Sequence, residues 1–153
     1  MAGSSERYTQ MWKARVDGAL NTPEADVRMV RGGQAGQVYQ VSEQVWAADI
    51  SFHHPLRYGE EAYVDYWTIF HYAKRPAREF RRGAHRRVEH LDMRLEFHPG
   101  RLPARLWWAQ WSDYRSPDEA IVGRERVTLD EELSAHRYLE TIEHTVVGYY
   151  WDW

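Results

Sequence analysis

Over residues 87–98 the chain alternates, strictly from His90 onward: Leu91, Met93, Leu95 and Phe97 are apolar, while His90, Asp92, Arg94, Glu96 and His98 are polar or charged. A pleated strand, whose side chains point to opposite faces on successive residues, puts all four apolar groups on one side. A strand with one wet face belongs to an antiparallel sheet, since parallel sheets are covered on both faces. Residues 38–41, 45–52, 61–72, 104–111, 121–129 and 145–153 carry the same bias towards β-branched and aromatic side chains. Turn signals such as Gly59 and Pro99-Gly100 separate them. Residues 131–144 are ambiguous. Ala135, Leu139, Ile142 and Val146 recur at helical spacing, but residues 136–141 also read as a strand, and strand is the reading adopted.

The aromatic content supports this. Eight Trp and ten Tyr are more large rings than a small helical bundle uses, and such rings suit a half-buried pleated surface. The N-terminal part reads differently. Ser4 or Ser5 can cap a helix over residues 4–20 with Tyr8, Met11, Trp12, Ala14, Val16 and Leu20 as a loose apolar stripe; Thr22-Pro23-Glu24 resembles a restart. Residues 32–36 look like a glycine-rich loop. The expected fold is mainly β, an antiparallel sandwich or open barrel with one or two short N-terminal helices. Its expected organisation is a helical segment over 1–36 and one compact β-rich unit over 37–153.

Other features bound the function. Cysteine is absent, which removes disulfides, thiolate metal sites and a cysteine nucleophile, and fits a reducing compartment. The N-terminus lacks the basic start and apolar run of a signal peptide, and no apolar run approaches the roughly 20 residues that span a bilayer. A soluble cytoplasmic protein without membrane contact is expected. No P-loop, nucleophile elbow or EF-hand loop occurs, no cofactor is implied, and the chain leans away from being an enzyme.

Gly59-Glu60-Glu61-Ala62-Tyr63-Val64-Asp65-Tyr66, the strand ending Leu95-Glu96-Phe97-His98-Pro99, the Leu102-Pro103 after it and the terminal Tyr149-Tyr150-Trp151-Asp152-Trp153 follow a recognisable order. Over residues 38–153 the chain resembles the β-rich C-terminal domain found behind a helix-turn-helix module in some actinobacterial regulators. That resemblance implies a β fold and a sensing or docking role, and carries over no catalytic residue. Residues 1–36 are too few for the complete helical DNA-binding domain of such regulators.

Two groups of residues rise above this background. Lys74, Arg75, Arg78, Arg81, Arg82, Arg86 and Arg87 fall within residues 74–87 beside one acid, Glu79, in a chain of net charge -3. Six of the seven are Arg, whose planar fork suits carboxylate or phosphate. On an exposed loop between strands they would bind an anion or an acidic partner; alternatively they are solvated, or paired internally with the acidic stretch 130–143. The second group is polar. Asp65, His71, His90 and Asp92, with Trp107 and Trp111, could line an interior pocket. No metal site is expected: His90 and His98 would be about 26 Å apart on an extended strand, and no histidine spacing matches an established ligand set.

Adjacent aromatics make the last argument. Trp107 and Trp108 must face opposite sides of their strand, as must Tyr150 and Trp151, so an outer aromatic face needs a cover: the N-terminal helices, a partner chain, or a flat ligand. The function expected from these residues is a non-catalytic docking or sensing module using aromatic and arginine surface. A protein partner or self-association leads. The alternatives are a small enzyme or ligand-binding barrel with a polar interior pocket, and a nucleic-acid or anion contact through the arginines.

Overall fold

The structure, a computed structural model, describes residues 5–13, 24–42, 45–71, 78–84 and 87–153. Among them there is no helix. The strands are β1 (Ser5–Lys13), β2 (Glu24–Arg31), β3 (Gly33–Ser42), β4 (Val45–Leu56), β5 (Asp65–His71), β6 (Glu79–Ala84), β7 (Val88–Glu96), β8 (Arg105–Trp111), β9 (Ile121–Val127), β10 (Ser134–Ile142) and β11 (Thr145–Asp152). Every pairing is antiparallel. No sheet closes into a barrel, and the chain divides into two compact units, Met1–Ala77 and Arg78–Trp153. The change of character expected at residue 37 falls inside β3.

The first unit holds a three-stranded sheet ordered β1-β4-β3 and a two-stranded ribbon of β2 and β5. The expected N-terminal helix is a strand where it is described. Its apolar stripe (Tyr8, Met11, Trp12) competes with a period-2 pattern in which Tyr8, Gln10 and Trp12 share a face, and the sheet wins. Trp12 meets the edge of Phe70 with ring centroids 6.0 Å apart, Tyr8 lies 6.2 Å from Tyr66, and the Tyr66 hydroxyl donates to Gln10. The buried glutamine hides the alternation from a hydropathy reading. The expected helical restart is also a strand: Ala25, Val27 and Met29 are half-buried and Asp26, Arg28 and Val30 exposed. Its proposed cap, residues 22–23, lies outside the described residues. The expected loop at 32–36 is a tight turn at Gly32 (φ 98°) followed directly by β3.

On the other face of that sheet Asp49 ties three strands together. It accepts from Thr9 of β1 (2.8 Å) and Tyr39 of β3 (2.9 Å), and pairs with Arg7 (3.0 Å). The Thr9 hydrogen bond, then those from Tyr39 and Arg7, hold its carboxyl below the usual range against the opposing effect of burial.

The second unit is built on a four-stranded sheet ordered β6-β11-β8-β9, with a ribbon of β7 and β10. The sequence alternation in β7 is reproduced: Met93 is buried, Leu91, Leu95 and Phe97 are half-buried, and the polar set is exposed. These apolar groups join Ala135, Ile142 and Leu139 of β10 and one face of the sheet (Leu106, Trp108, Val147, Tyr149 and Trp151) in a single cluster. The ambiguous stretch is a strand, β10, paired to β7 along its length. The opposite sheet face carries a second cluster of Trp107, Ala109, Trp111, Val146 and Tyr150.

The position of β6 depends on a glycine. A Cβ at Gly148 would stand 2.0 Å from the Phe80 carbonyl oxygen and 2.8 Å from Arg81 Cα, backbone that cannot step aside. Gly148→Ala is expected to cost about 1–3 kcal/mol by forcing β6 and β11 apart. Urea denaturation followed by tryptophan fluorescence measures this, and an unchanged midpoint would show that the strands have room.

Candidate docking surface

The arginine cluster does not sit on a loop. Residues 79–84 form the strand β6, in which Phe80 and Ala84 face the first cluster and Arg81 the opposite side. Arg81 is buried, its side chain 1% exposed. Its guanidinium pairs with Glu79 (3.0 Å) and Asp118 (3.1 Å), and donates to the carbonyls of Tyr114 (3.2 Å) and Ser116 (2.7 Å). It also lies 4.4 Å over the Trp111 ring. Such a group is a bolt between β6 and the loop over residues 112–120, with four of its five N–H donors already engaged. Arg82 is partly buried, and desolvation pulls its pKa down to about 10, so it stays charged at neutral pH. Arg78 pairs with Asp152 and lies 5.3 Å over Tyr150. Arg87 is exposed and pairs with Glu89 at 3.0 Å. Arg75 and Arg86 lie outside the described residues. The internal partners of Arg78 and Arg81 are thus Glu79, Asp118 and Asp152, rather than the acidic stretch at 130–143.

Of the six residues considered for a pocket, two lie in the first unit and four in the second. Asp65 and His71 belong to the first unit, where Asp65 pairs with Arg31 and His71 with Asp26, both at 3.8 Å. His90 and Asp92 are on the outer face of the β7–β10 ribbon. There the His90 ring bonds the Tyr138 hydroxyl at 2.6 Å, and Asp92 pairs with His136. Trp107 and Trp111 lie in the four-stranded sheet, away from that ribbon face. Among the described residues no three His, Asp or Glu side chains converge where a metal ion could be held. No described helix is long and apolar enough to cross a membrane.

What the structure does assemble is a cationic aromatic face. Trp107 is 9% exposed, and three guanidinium groups lie over its ring: Arg105 at 5.5 Å, Arg124 at 5.2 Å and Arg126 at 5.5 Å from the centroid. The strand period explains the arrangement. Arg105 is two residues before Trp107 on β8; Arg124 and Arg126 are two apart on β9, and Arg126 is the cross-strand partner of Trp107. The outer aromatic face is therefore lined by arginines and the 112–120 loop, and the N-terminal helices expected to cover it are not found among the described residues. Next to Trp107 lies Tyr150, 5.7 Å away, its hydroxyl held above its usual pKa mainly by burial. An open depression of about 320 Å³ runs beside them, lined by Glu119, Ile121, Val122, Gly123, Arg124 and Tyr150.

The charges on this face are unequal. Asp152 pairs with both Arg78 and Arg105, the latter at 2.9 Å. Arg124 and Arg126 are exposed and have no carboxylate partner among the described residues. Glu125, between them, points to the other face and pairs with Arg137 at 2.9 Å. A hydropathy and charge reading passes over these three arginines, because Arg124-Glu125-Arg126 looks neutralised in sequence. The signal was the period of two, which separates the cations from the acid between them. No family model matches the chain, and neither does any curated protein or solved structure.

Proposed function

We propose that the chain is a non-catalytic docking module, and that the Arg105–Trp107–Arg124–Arg126 face of its second unit takes an acidic protein segment. We read each unit as a small sandwich of sheet and ribbon. The observation that carries the proposal is the exposed, carboxylate-free pair Arg124 and Arg126 poised over a buried tryptophan. Held against the indole face, their forks are oriented before a ligand arrives, which lowers the ordering cost of a bidentate contact to carboxylate. The resemblance to β-rich domains of bacterial regulators agrees with a docking role.

Nucleic acid fits this face less well. Two unpaired guanidiniums neutralise few phosphates, and Asp152 and Glu119 stand beside them and repel a polyanion. The Trp107 ring lies under the arginines instead of being offered to a base. The test is fluorescence anisotropy with a labelled peptide of alternating glutamate and valine, beside a labelled oligothymidine. Wild-type chain should bind the peptide more tightly than the oligonucleotide. Arg124→Gln with Arg126→Gln should weaken the peptide by about tenfold to a hundredfold, the loss expected for charged hydrogen bonds, with the melting temperature kept. Equal peptide binding by the double variant, tighter binding of the oligonucleotide, or no peptide binding at all would overturn the proposal.

A further inference from the structure

The four-stranded sheet has two edges, and they are treated differently. At one edge, β6 has Glu79, Arg81 and Ala84 buried and its remaining residues half-buried. At the other, β9 pairs only with β8 among the described residues, and Val122, Gly123, Arg124, Glu125 and Arg126 are all exposed, Val122 by 64%. An open edge strand presents a row of main-chain donors and acceptors with no partner inside the sheet, and so can accept another strand. We infer that the acidic segment of the proposed function docks by adding a strand to the open edge of β9, along residues 123–127, with its alternate carboxylates on the face of Arg124 and Arg126. This rests on the docking reading above and specifies how the partner is held.

Charge selects the occupant. A second copy of the chain, paired antiparallel through the same residues, would set Arg124 and Arg126 against their own counterparts, and like charges directly opposite are unfavourable. An incoming strand with acids at every second position meets those arginines at cross-strand distance, on the same period of two that orders them. Its intervening side chains fall on the face of Glu125, which is already engaged by Arg137. Apolar residues there leave that ion pair undisturbed. The register irregularity between Gln110 and Trp111 leaves Val122 outside the regular ladder, so the usable edge starts at Gly123. A Cβ built at Gly123 would meet no heavy atom within 4 Å, so the sheet face at that position is open to the side chains of an added strand.

The experiment compares two forms of the same alternating glutamate–valine peptide, one unmodified and one N-methylated at every second backbone amide on the edge-facing side. N-methylation removes main-chain donors and leaves all carboxylates in place. Strand addition predicts at least a tenfold loss of affinity for the methylated peptide. It also predicts slowed hydrogen exchange at amides within residues 123–127 when the unmodified peptide is bound. If both forms bind equally and both lose affinity with Arg124→Gln and Arg126→Gln, docking stands and strand addition is wrong. If neither form binds, the docking reading itself fails.

Discussion

Arg81→Met is expected to unfold the second unit at neutral pH, or to leave it barely folded. The side chain is 1% exposed, and its removal strips the cation from Glu79 and Asp118, whose side chains are themselves only 7% and 10% exposed. Breaking a buried ion pair by removing one partner costs about 3–5 kcal/mol, because the other charge remains in low dielectric. That is a large share of the roughly 5–15 kcal/mol by which a domain is stable. Two backbone carbonyls, of Tyr114 and Ser116, lose their donor in the same step, and Trp111 loses the group lying over its ring. The check is a urea titration of wild type and variant. A companion variant with Glu79→Gln and Asp118→Asn added should recover part of the loss, since it removes the buried charges. A single variant within about 1 kcal/mol of wild type would show that Arg81 is dispensable.

Tyr149→Ala should be comparably damaging, for a different reason. Tyr149 is 1% exposed, packs edge-on against Trp108 with centroids 5.1 Å apart, and donates its hydroxyl to the Met93 carbonyl at 3.1 Å. It therefore joins the four-stranded sheet to the β7–β10 ribbon through both packing and a buried hydrogen bond. Truncating a buried aromatic costs about 3–5 kcal/mol, the cavity included. Tyr149→Phe keeps the ring and should lose only about 1 kcal/mol, the net worth of the hydrogen bond. Hydrogen exchange adds a local readout: in the alanine variant the β7 and β10 amides should lose protection. Equal stability of the two variants would mean that the ring packs less than its burial implies.

How much of this was legible in the sequence depends on whether the alternation was apolar. β7 could be read residue by residue because Leu91, Met93 and Leu95 are inward and their neighbours charged. β11 was also within reach, since β-branched and aromatic residues crowd it, whereas β10, with only Tyr138, Thr141 and Ile142 of those types, stayed ambiguous with a helix. The strands β1 and β6 were not within reach, because their inward sets include Gln10, Glu79 and Arg81; Gln10 and Arg81 have partners far along the chain, and Glu79 pairs with Arg81 itself. Nothing local distinguishes such a residue from a solvated one. β2 was missed although it alternates cleanly, because the Thr22-Pro23-Glu24 signal favoured a helix start. The docking face was hidden in the same manner. Arg105, Arg124 and Arg126 come together only through the pairing register of β8 with β9, while the conspicuous run at 74–87 drew the charge argument elsewhere.

The two-sided aromatic sheet has a consequence for how the chain finds its native pairing. On β8 and β11 both faces are apolar, so a shift of one residue would exchange Trp107 for Trp108, or Tyr150 for Tyr149, with little change in oil buried. Hydrophobicity alone thus leaves neighbouring alignments nearly degenerate, and a slipped intermediate is a natural kinetic trap. The index marks that reject it are few: Gly148, which alone can lie opposite Arg81, and Asp152, which must reach Arg105. Weakening either should slow refolding more than its equilibrium contribution suggests.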